Sequence, residues 1–216
     1  MIGSTDVTSS TAARCVAVTA LVVGATSAAV TPAMATGTGL QPPTSAVGAG
    51  RPLGRLGPLT DLVIQRIRVG DDVAASKFGT GAPIDDPVRE QQVLEQVRGQ
   101  AGDLGLDPVS AATFFQDQIT ASKIVQRGLF ARWTSHPEEA PTTRPDLALI
   151  RARLDLLTSD LLHELKATAP LRAEPVTCPA HLAIAAGSGV VLERLDTVHR
   201  QALKSAVHSV CTAPTN

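Results

Sequence analysis

A chain of 216 residues with 44% apolar and 18% charged residues has the composition of one globular domain plus appendages. Its net charge of −1 excludes the broad basic field that attracts nucleic acid, so recognition of any anion has to come from local placement of cations. With four Phe, one Trp and no Tyr, the core has to be built from Leu, Val, Ile and Ala, which suits packed helices better than an aromatic-rich β-sandwich.

Residues 1–35 carry the features of a secretory signal peptide. Arg14 supplies positive charge, Val16 to Val30 is a moderately apolar run, and Ala33-Met34-Ala35 is a small-x-small cleavage site that makes Thr36 the first mature residue. An uncleaved membrane anchor is the competing reading, but Pro32 and interspersed Thr, Ser and Gly leave the run short and broken for a span. Residues 36–58 are rich in Gly, Pro, Thr and Ser and read as a flexible tail, with the folded domain expected over 59–216.

From Leu59 onward the apolar spacing is helical. A first helix is predicted from Leu59 to Phe78, closed by Gly79-Thr80-Gly81-Ala82-Pro83. Its inner face runs Leu59, Leu62/Val63, Arg66, Val69/Gly70, Val73, Lys77. Two cations about three turns apart therefore stand on an otherwise apolar stripe. A second helix starts at Asp86-Pro87, with Asp86 as N-cap, and ends near Gly102 to Gly105. Its stripe of Arg89, Val93, Val97 and Leu104 again opens with a cation. Asp107-Pro108 repeats the start signal for a third helix reaching Ser135. Ser122 and Gln126, one turn apart, interrupt its apolar face of Phe115, Ile119, Leu129/Phe130 and Trp133.

A Pro-rich connection leads to a fourth helix from Asp146 to Ala169, on Leu147, Ile150, Leu154, Leu157, Leu161 and Leu165 with Arg151 at the flank. A last helix is predicted from Pro179 to Cys211, weakened in its middle by Gly187 and Gly189. There is no internal repeat and no β-alternation, so the fold class is all-α, a bundle of about five helices. Cys15 leaves with the signal, and Cys178 and Cys211 remain as an even pair in an oxidising compartment. They read as one C-terminal disulfide, with two free buried thiols as the alternative. The five His residues have no metal-site spacing, so neither metal nor cofactor is expected.

A single cation on an apolar stripe ordinarily lies at its edge, snorkelling or paired with a surface carboxylate. Here the interruptions recur on four helices. If Arg66, Lys77, Arg89, Ser122, Gln126 and Arg151 faced one cavity, they would offer three guanidiniums, an ammonium, a hydroxyl and an amide. Arg forks grip carboxylates and Lys donates as a point charge, so this set suits a small dicarboxylate. No Ser or Cys is tied by motif to a His, so any catalysis would work by positioning and electrostatics.

In this order the residues resemble the all-helical chorismate mutases, most closely their secreted subclass, from Leu59 to the C-terminus. The family pattern is an Arg on the first helix, a Lys eleven residues later, an acid with an Arg, a Glu, and Ser/Thr with Gln/Glu one turn on. Here it is Arg66, Lys77, Asp86, Arg89, Glu90, Ser122 and Gln126. In the secreted subclass a second carboxylate-binding Arg comes from the same chain, matching Arg151 in Pro-Asp-Leu-Ala-Leu-Ile-Arg, and the C-terminal disulfide matches Cys178 and Cys211. Some secreted relatives carry Glu at the position of Gln126, whereas Glu90 matches the intracellular members.

The resemblance implies the unimolecular Claisen rearrangement of chorismate to prephenate, without cofactor. Arg66 and Arg151 would hold the carboxylates, with Ser122 helping at the ring carboxylate. Lys77 and Gln126 would donate to the ether oxygen. Arg89 would complete the positive surface, Asp86 would orient local groups, and Glu90 would receive the ring hydroxyl. It also implies a secreted or periplasmic homodimer that binds neither nucleic acid nor, once the signal is removed, membrane. The rival reading is a catalytically silent, secreted helical binder of an anionic aromatic or dicarboxylate metabolite. Such a binder needs only the Arg clamps, not donors such as Lys77 and Gln126 at an ether. A purely structural helical protein would leave Arg66, Lys77 and Arg89 unexplained.

Overall fold

A computed structural model describes residues 50–211. They form α1 (Gly57–Lys77), α2 (Pro87–Asp103), α3 (Pro108–Ser135), α4 (Leu147–Ala167), α5 (Ala169–Arg172), α6 (Thr177–Leu192) and α7 (Thr197–Ala206), with a 3-10 turn at Pro137–Glu139. No strand occurs among the described residues. The expected signal peptide and residues 36–49 of the expected tail lie outside them.

Four aspartates start four helices. Asp86 accepts from the Arg89 N–H, Asp107 from Val109 and Ser110, Asp146 from Ala148, and Asp196 from His199. Each satisfies backbone donors that the first helical turn leaves without partners. Proline in the first turn of α2 and α3 fixes the same boundaries. The first helix begins earlier than Leu59, because the chain before it packs. Leu56 is fully buried and Pro52 is buried. A Cβ on Gly57 would stand 2.0 Å from the Pro52 carbonyl oxygen, so only glycine lets this segment fold back on the helix start. Residues 50–58 therefore belong to the folded body rather than to a tail.

α1 lies at the centre, packed by α3, α4, α6 and α7, while α2 lies across α3. Leu59, Val63 and Ile67 from α1 meet Phe114, Phe115 and Val125 from α3 and Leu161 and Leu165 from α4 in one core. No helix among the described residues is long and apolar enough to cross a membrane.

The single last helix expected from Pro179 to Cys211 is two helices, and the break falls away from the glycines. Gly187 and Gly189 are inside α6. A Cβ at Gly189 would approach Ile64 Cδ1 to 2.7 Å, so this glycine lets α6 close on α1. The break is a Schellman motif: Leu195 N–H donates to the Val190 carbonyl at 3.0 Å and Arg194 N–H to the Val191 carbonyl at 3.3 Å. Arg194 takes φ 49°, a left-handed conformation with no glycine to announce it. Leu195 is buried behind the turn and Asp196 at once caps α7. The disulfide between Cys178 and Cys211 joins the first turn of α6 to the turn after α7, across 33 residues.

α7 is also clamped to α1. His199 is 3% exposed. Its Nε2 lies 2.8 Å from Asp71 Oδ1 and its Nδ1 2.7 Å from Asp196 Oδ1. Two carboxylates on one imidazole favour the imidazolium. The hydrogen bond to Asp71, then that to Asp196, outweigh desolvation and hold His199 above the ordinary histidine range. Its stabilisation is therefore complete below the unfolded-state pKa of about 6.5 and is lost as pH rises through the raised native value. Thermal melts at stepped pH should show wild-type stability falling on the alkaline side. His199→Gln should remove that slope and lose about 1–3 kcal/mol at pH 6, the range for hydrogen bonds to charged groups.

Candidate active site

A cavity of about 520 Å³ opens where α1, α2, α3 and α4 meet, roofed by the loop between α1 and α2. α1 presents Arg66, Gly70, Val73 and Lys77 to it, at the helical spacing that gives them one face. α2 adds Arg89, Glu90, Val93 and Val97, α3 adds Ile119, Ser122 and Gln126, and α4 adds Ile150, Arg151 and Leu154. All eight residues singled out from the sequence (Arg66, Lys77, Asp86, Arg89, Glu90, Ser122, Gln126 and Arg151) line this one space.

Arg66 is the deepest cation, 9% exposed. Its Nη1 donates to the Leu154 carbonyl at 3.1 Å and to Thr158 Oγ1 at 3.0 Å, and its guanidinium lies 5.4 Å from the Phe115 ring centre. It makes no ion pair with a carboxylate among the described residues. Burial pushes it down to about 10, with the more distant Asp155 pulling the other way, so it stays charged at neutral pH. Thr158 donates in turn to the Leu154 carbonyl at 2.8 Å, which turns its lone pairs toward Arg66.

Lys77 ends α1, where its charge also suits the helix C-terminus. Its ammonium donates to the Pro83 carbonyl at 2.9 Å, which leaves two N–H groups. Burial pushes it below the ordinary lysine range, against the pull of Asp86, Glu90 and Asp85. On α3, Gln126 Nε2 donates to Ser122 Oγ at 3.1 Å and lies 3.3 Å from the Ser122 carbonyl, while its Oε1 is buried without a partner. Ser122 Oγ is thereby an acceptor toward Gln126 and keeps its own proton to donate.

Arg89 and Arg151 are exposed residues at the rim. The Arg89 guanidinium donates to Gln92 at 3.3 Å, and neither Arg89 nor Arg151 has an ion pair among the described residues. Asp86 is used as the α2 cap, and its N–H donates back to Glu90 Oε1 at 3.2 Å. Glu90 is bound by Lys123, whose ammonium lies 2.9 and 2.8 Å from its two oxygens.

Lys123 and Thr158 are wall residues that sequence reasoning missed. Lys123 stands four residues after Ile119 and three before Gln126, so helical spacing reaches it, but beside Ser122 a lysine reads as a solvated flank. Thr158 is the polar residue on the inner face of α4 between Leu157 and Leu161, a signal present but unused. Counted together, the wall carries five cations (Arg66, Lys77, Arg89, Lys123, Arg151) and three carboxylates (Asp86, Glu90, Asp155). The formal surplus is that of a cavity made for a dianion. Among the described residues no group of three or more His, Cys, Asp or Glu is placed to hold a metal ion.

Residues 58–127 match the family model of chorismate mutase type II. The secreted chorismate mutase of Mycolicibacterium smegmatis is 39% identical over 154 residues, covering 71% of this chain and 84% of that protein. The secreted chorismate mutase of Mycobacterium tuberculosis is 32% identical over 159 residues, covering 74% and 79%. Among solved structures, the chorismate mutase from Burkholderia phymatum superposes with a TM-score of 0.69 at 37% identity, covering 73% of this chain and 96% of that one.

A buried guanidinium held only by neutral groups costs stability that an apolar residue would not. Arg66→Met should therefore leave the free protein as stable as wild type or more so, by about 1–2 kcal/mol. A dicarboxylate ligand that raises the wild-type melting temperature should not raise that of Arg66→Met. Differential scanning calorimetry with and without ligand reads both effects.

Proposed function

This chain belongs to the all-helical chorismate mutases, which rearrange chorismate to prephenate, and we propose that the residues of its cavity divide that task as follows. Chorismate is a dianion with a ring hydroxyl and an allylic enol ether, and the positive surplus of the wall matches its charge. That match, on residues from four helices facing one space, carries the reading. Arg66 at the base and Arg151 at the rim hold the two carboxylates. Ser122 adds its free O–H at the ring carboxylate, and Arg89 completes the positive surface. Glu90 accepts the ring hydroxyl, and Asp86, by capping α2, sets where Arg89 and Glu90 stand.

The reaction breaks the ether C–O bond and forms a C–C bond within one molecule, so no group is transferred and no nucleophile is needed. Two things lower the barrier. The clamps at opposite ends hold the enolpyruvyl arm over the ring, which replaces a search through conformers with a fixed geometry. As the C–O bond breaks, the ether oxygen gains negative charge, and donors already aimed at it stabilise that charge without reorganising. Lys77 has two free N–H groups for this. Gln126 directs its amide nitrogen to Ser122 Oγ and to the Ser122 carbonyl, and it turns an N–H from these contacts to reach the ether. Val73, Val93, Val97, Ile119 and Ile150 keep the surroundings dry, which strengthens each contact.

The family's secreted members and the signal features of residues 1–35 together place the working protein outside the cytoplasm, secreted or periplasmic. The proposed substrate-binding residues all come from one chain, so each subunit holds a self-sufficient site, and the proposed assembly is the homodimer that the family resemblance implies. α6 supports it. The helix is apolar nearly all round, and Ile184 and Val191, two turns apart, are 53% and 73% exposed. Light scattering on the purified protein reads the assembly directly.

Lys77→Ala should lower kcat by about 10²–10³, the loss expected for one donor at a developing oxyanion, as followed by the disappearance of chorismate. The amide of Gln126 donates at any pH, so the wild-type rate should be level between about pH 5 and 8. A carboxyl in its place donates only when protonated. Gln126→Glu should therefore be most active at the acid end and decline as pH rises, and a wild type with that same decline would remove Gln126 from the ether.

A further inference from the structure

Lys123 is the cation of the cavity that the roles above leave unused. Its ammonium has three N–H groups and meets three carboxylate oxygens: Glu90 Oε1 at 2.9 Å, Glu90 Oε2 at 2.8 Å and Asp85 Oδ1 at 3.2 Å. No donor is left over for a ligand, so Lys123 faces the cavity without being able to grip what enters it. The pair is not an ordinary surface bridge. The side chains of Lys123 and Glu90 are 18% and 20% exposed, and both line the wall beside Ser122. The hydrogen bond to Glu90 holds Lys123 above the ordinary lysine range.

The acceptor count on Glu90 gives this contact a purpose. A carboxylate offers about four lone-pair directions. Lys123 takes one on each oxygen, and the Asp86 N–H takes a second on Oε1 at 3.2 Å. One direction remains, on Oε2. Glu90 stands in the first turn of α2 on a long flexible side chain. Without Lys123 a single backbone N–H would hold it, and the direction of its free lone pair would not be fixed. Asp85, held also by Arg127 at 2.8 Å, anchors the same ammonium from the roof loop.

We propose that Lys123 is a positioning residue, whose ammonium fixes the Glu90 carboxylate so that one lone pair on Oε2 is left aimed at the substrate's ring hydroxyl. This rests on the role given to Glu90 above. The test compares chorismate with its analogue lacking the ring hydroxyl, using Lys123→Met and Lys123→Gln so that a folding failure in one leaves the other. With chorismate, kcat/KM should fall about 30-fold, the scale of one well-placed hydrogen bond to a charged group. With the analogue it should stay within about threefold of wild type, and Lys123→Arg should recover most of the chorismate rate. Equal losses on both substrates would show general damage and overturn the proposal, as would unchanged turnover of chorismate. A wild-type protein that does not rearrange chorismate would overturn the underlying reading, and it is recognised from the wild-type rate alone.

Discussion

The site depends on a guanidinium buried at the heart of the bundle with no carboxylate in ion-pair contact among the described residues. Arg66 is on the central helix, among Leu59, Val63 and Ile67, where an apolar side chain would pack at no electrostatic cost. Its hydrogen bonds go to a carbonyl and a hydroxyl, which relieve the loss of water but leave the positive charge in place. A protein with a typical total stability of about 5–15 kcal/mol tolerates such a group only if the rest of the fold compensates. Here the core below the cavity is continuous from α1 through α3 and α4, and α6 and α7 close the far side of α1. One side of the central helix supplies stability and the other faces the cavity.

The remaining polar residues follow from that division. Three donors on the wall have local partners that limit their motion. Pro83 takes one N–H of Lys77, Ser122 holds the amide nitrogen of Gln126, and Thr158 and Leu154 share one nitrogen of Arg66. Donors held in this way reorganise little when a ligand arrives, which is the condition for electrostatic catalysis in a low-dielectric space. The carboxylates act differently. Asp86 and Glu90 are engaged by the backbone and by Lys123, so they shape the site without cancelling its positive surplus.

Much of this was legible in the sequence because periodicity and composition carry it. Helix starts were announced by Asp-Pro and by aspartates that cap. Arg66, Lys77, Arg89, Ser122 and Gln126 stood out as polar interruptions of apolar stripes and Arg151 at the flank of one, while Asp86 and Glu90 came as candidates with the family resemblance. Apart from Thr158, what was missed did not stand out locally. The break between α6 and α7 rests on Arg194 in a left-handed conformation and on Asp196, while of the two glycines that drew attention Gly189 serves close helix packing and Gly187 faces open space. Lys123 reads locally as a surface lysine beside Ser122 and gains its place through Glu90 on another helix, and His199 becomes a clamp only when α7 meets Asp71. Contacts between elements distant in sequence leave no periodic trace.

The covalent link from Cys178 to Cys211 makes the chemistry of the surroundings part of the fold. It encloses α6, the Schellman turn and α7, the elements that back the central helix behind Arg66. Closing a loop of 33 residues is worth about 3–4 kcal/mol in the chain-entropy model, a large share of the usual total. A chain held where thiols stay reduced lacks that contribution while still bearing the burden of its buried cation. The fold thus reaches its full stability only after oxidation, which ties it to a compartment where the bridge can form.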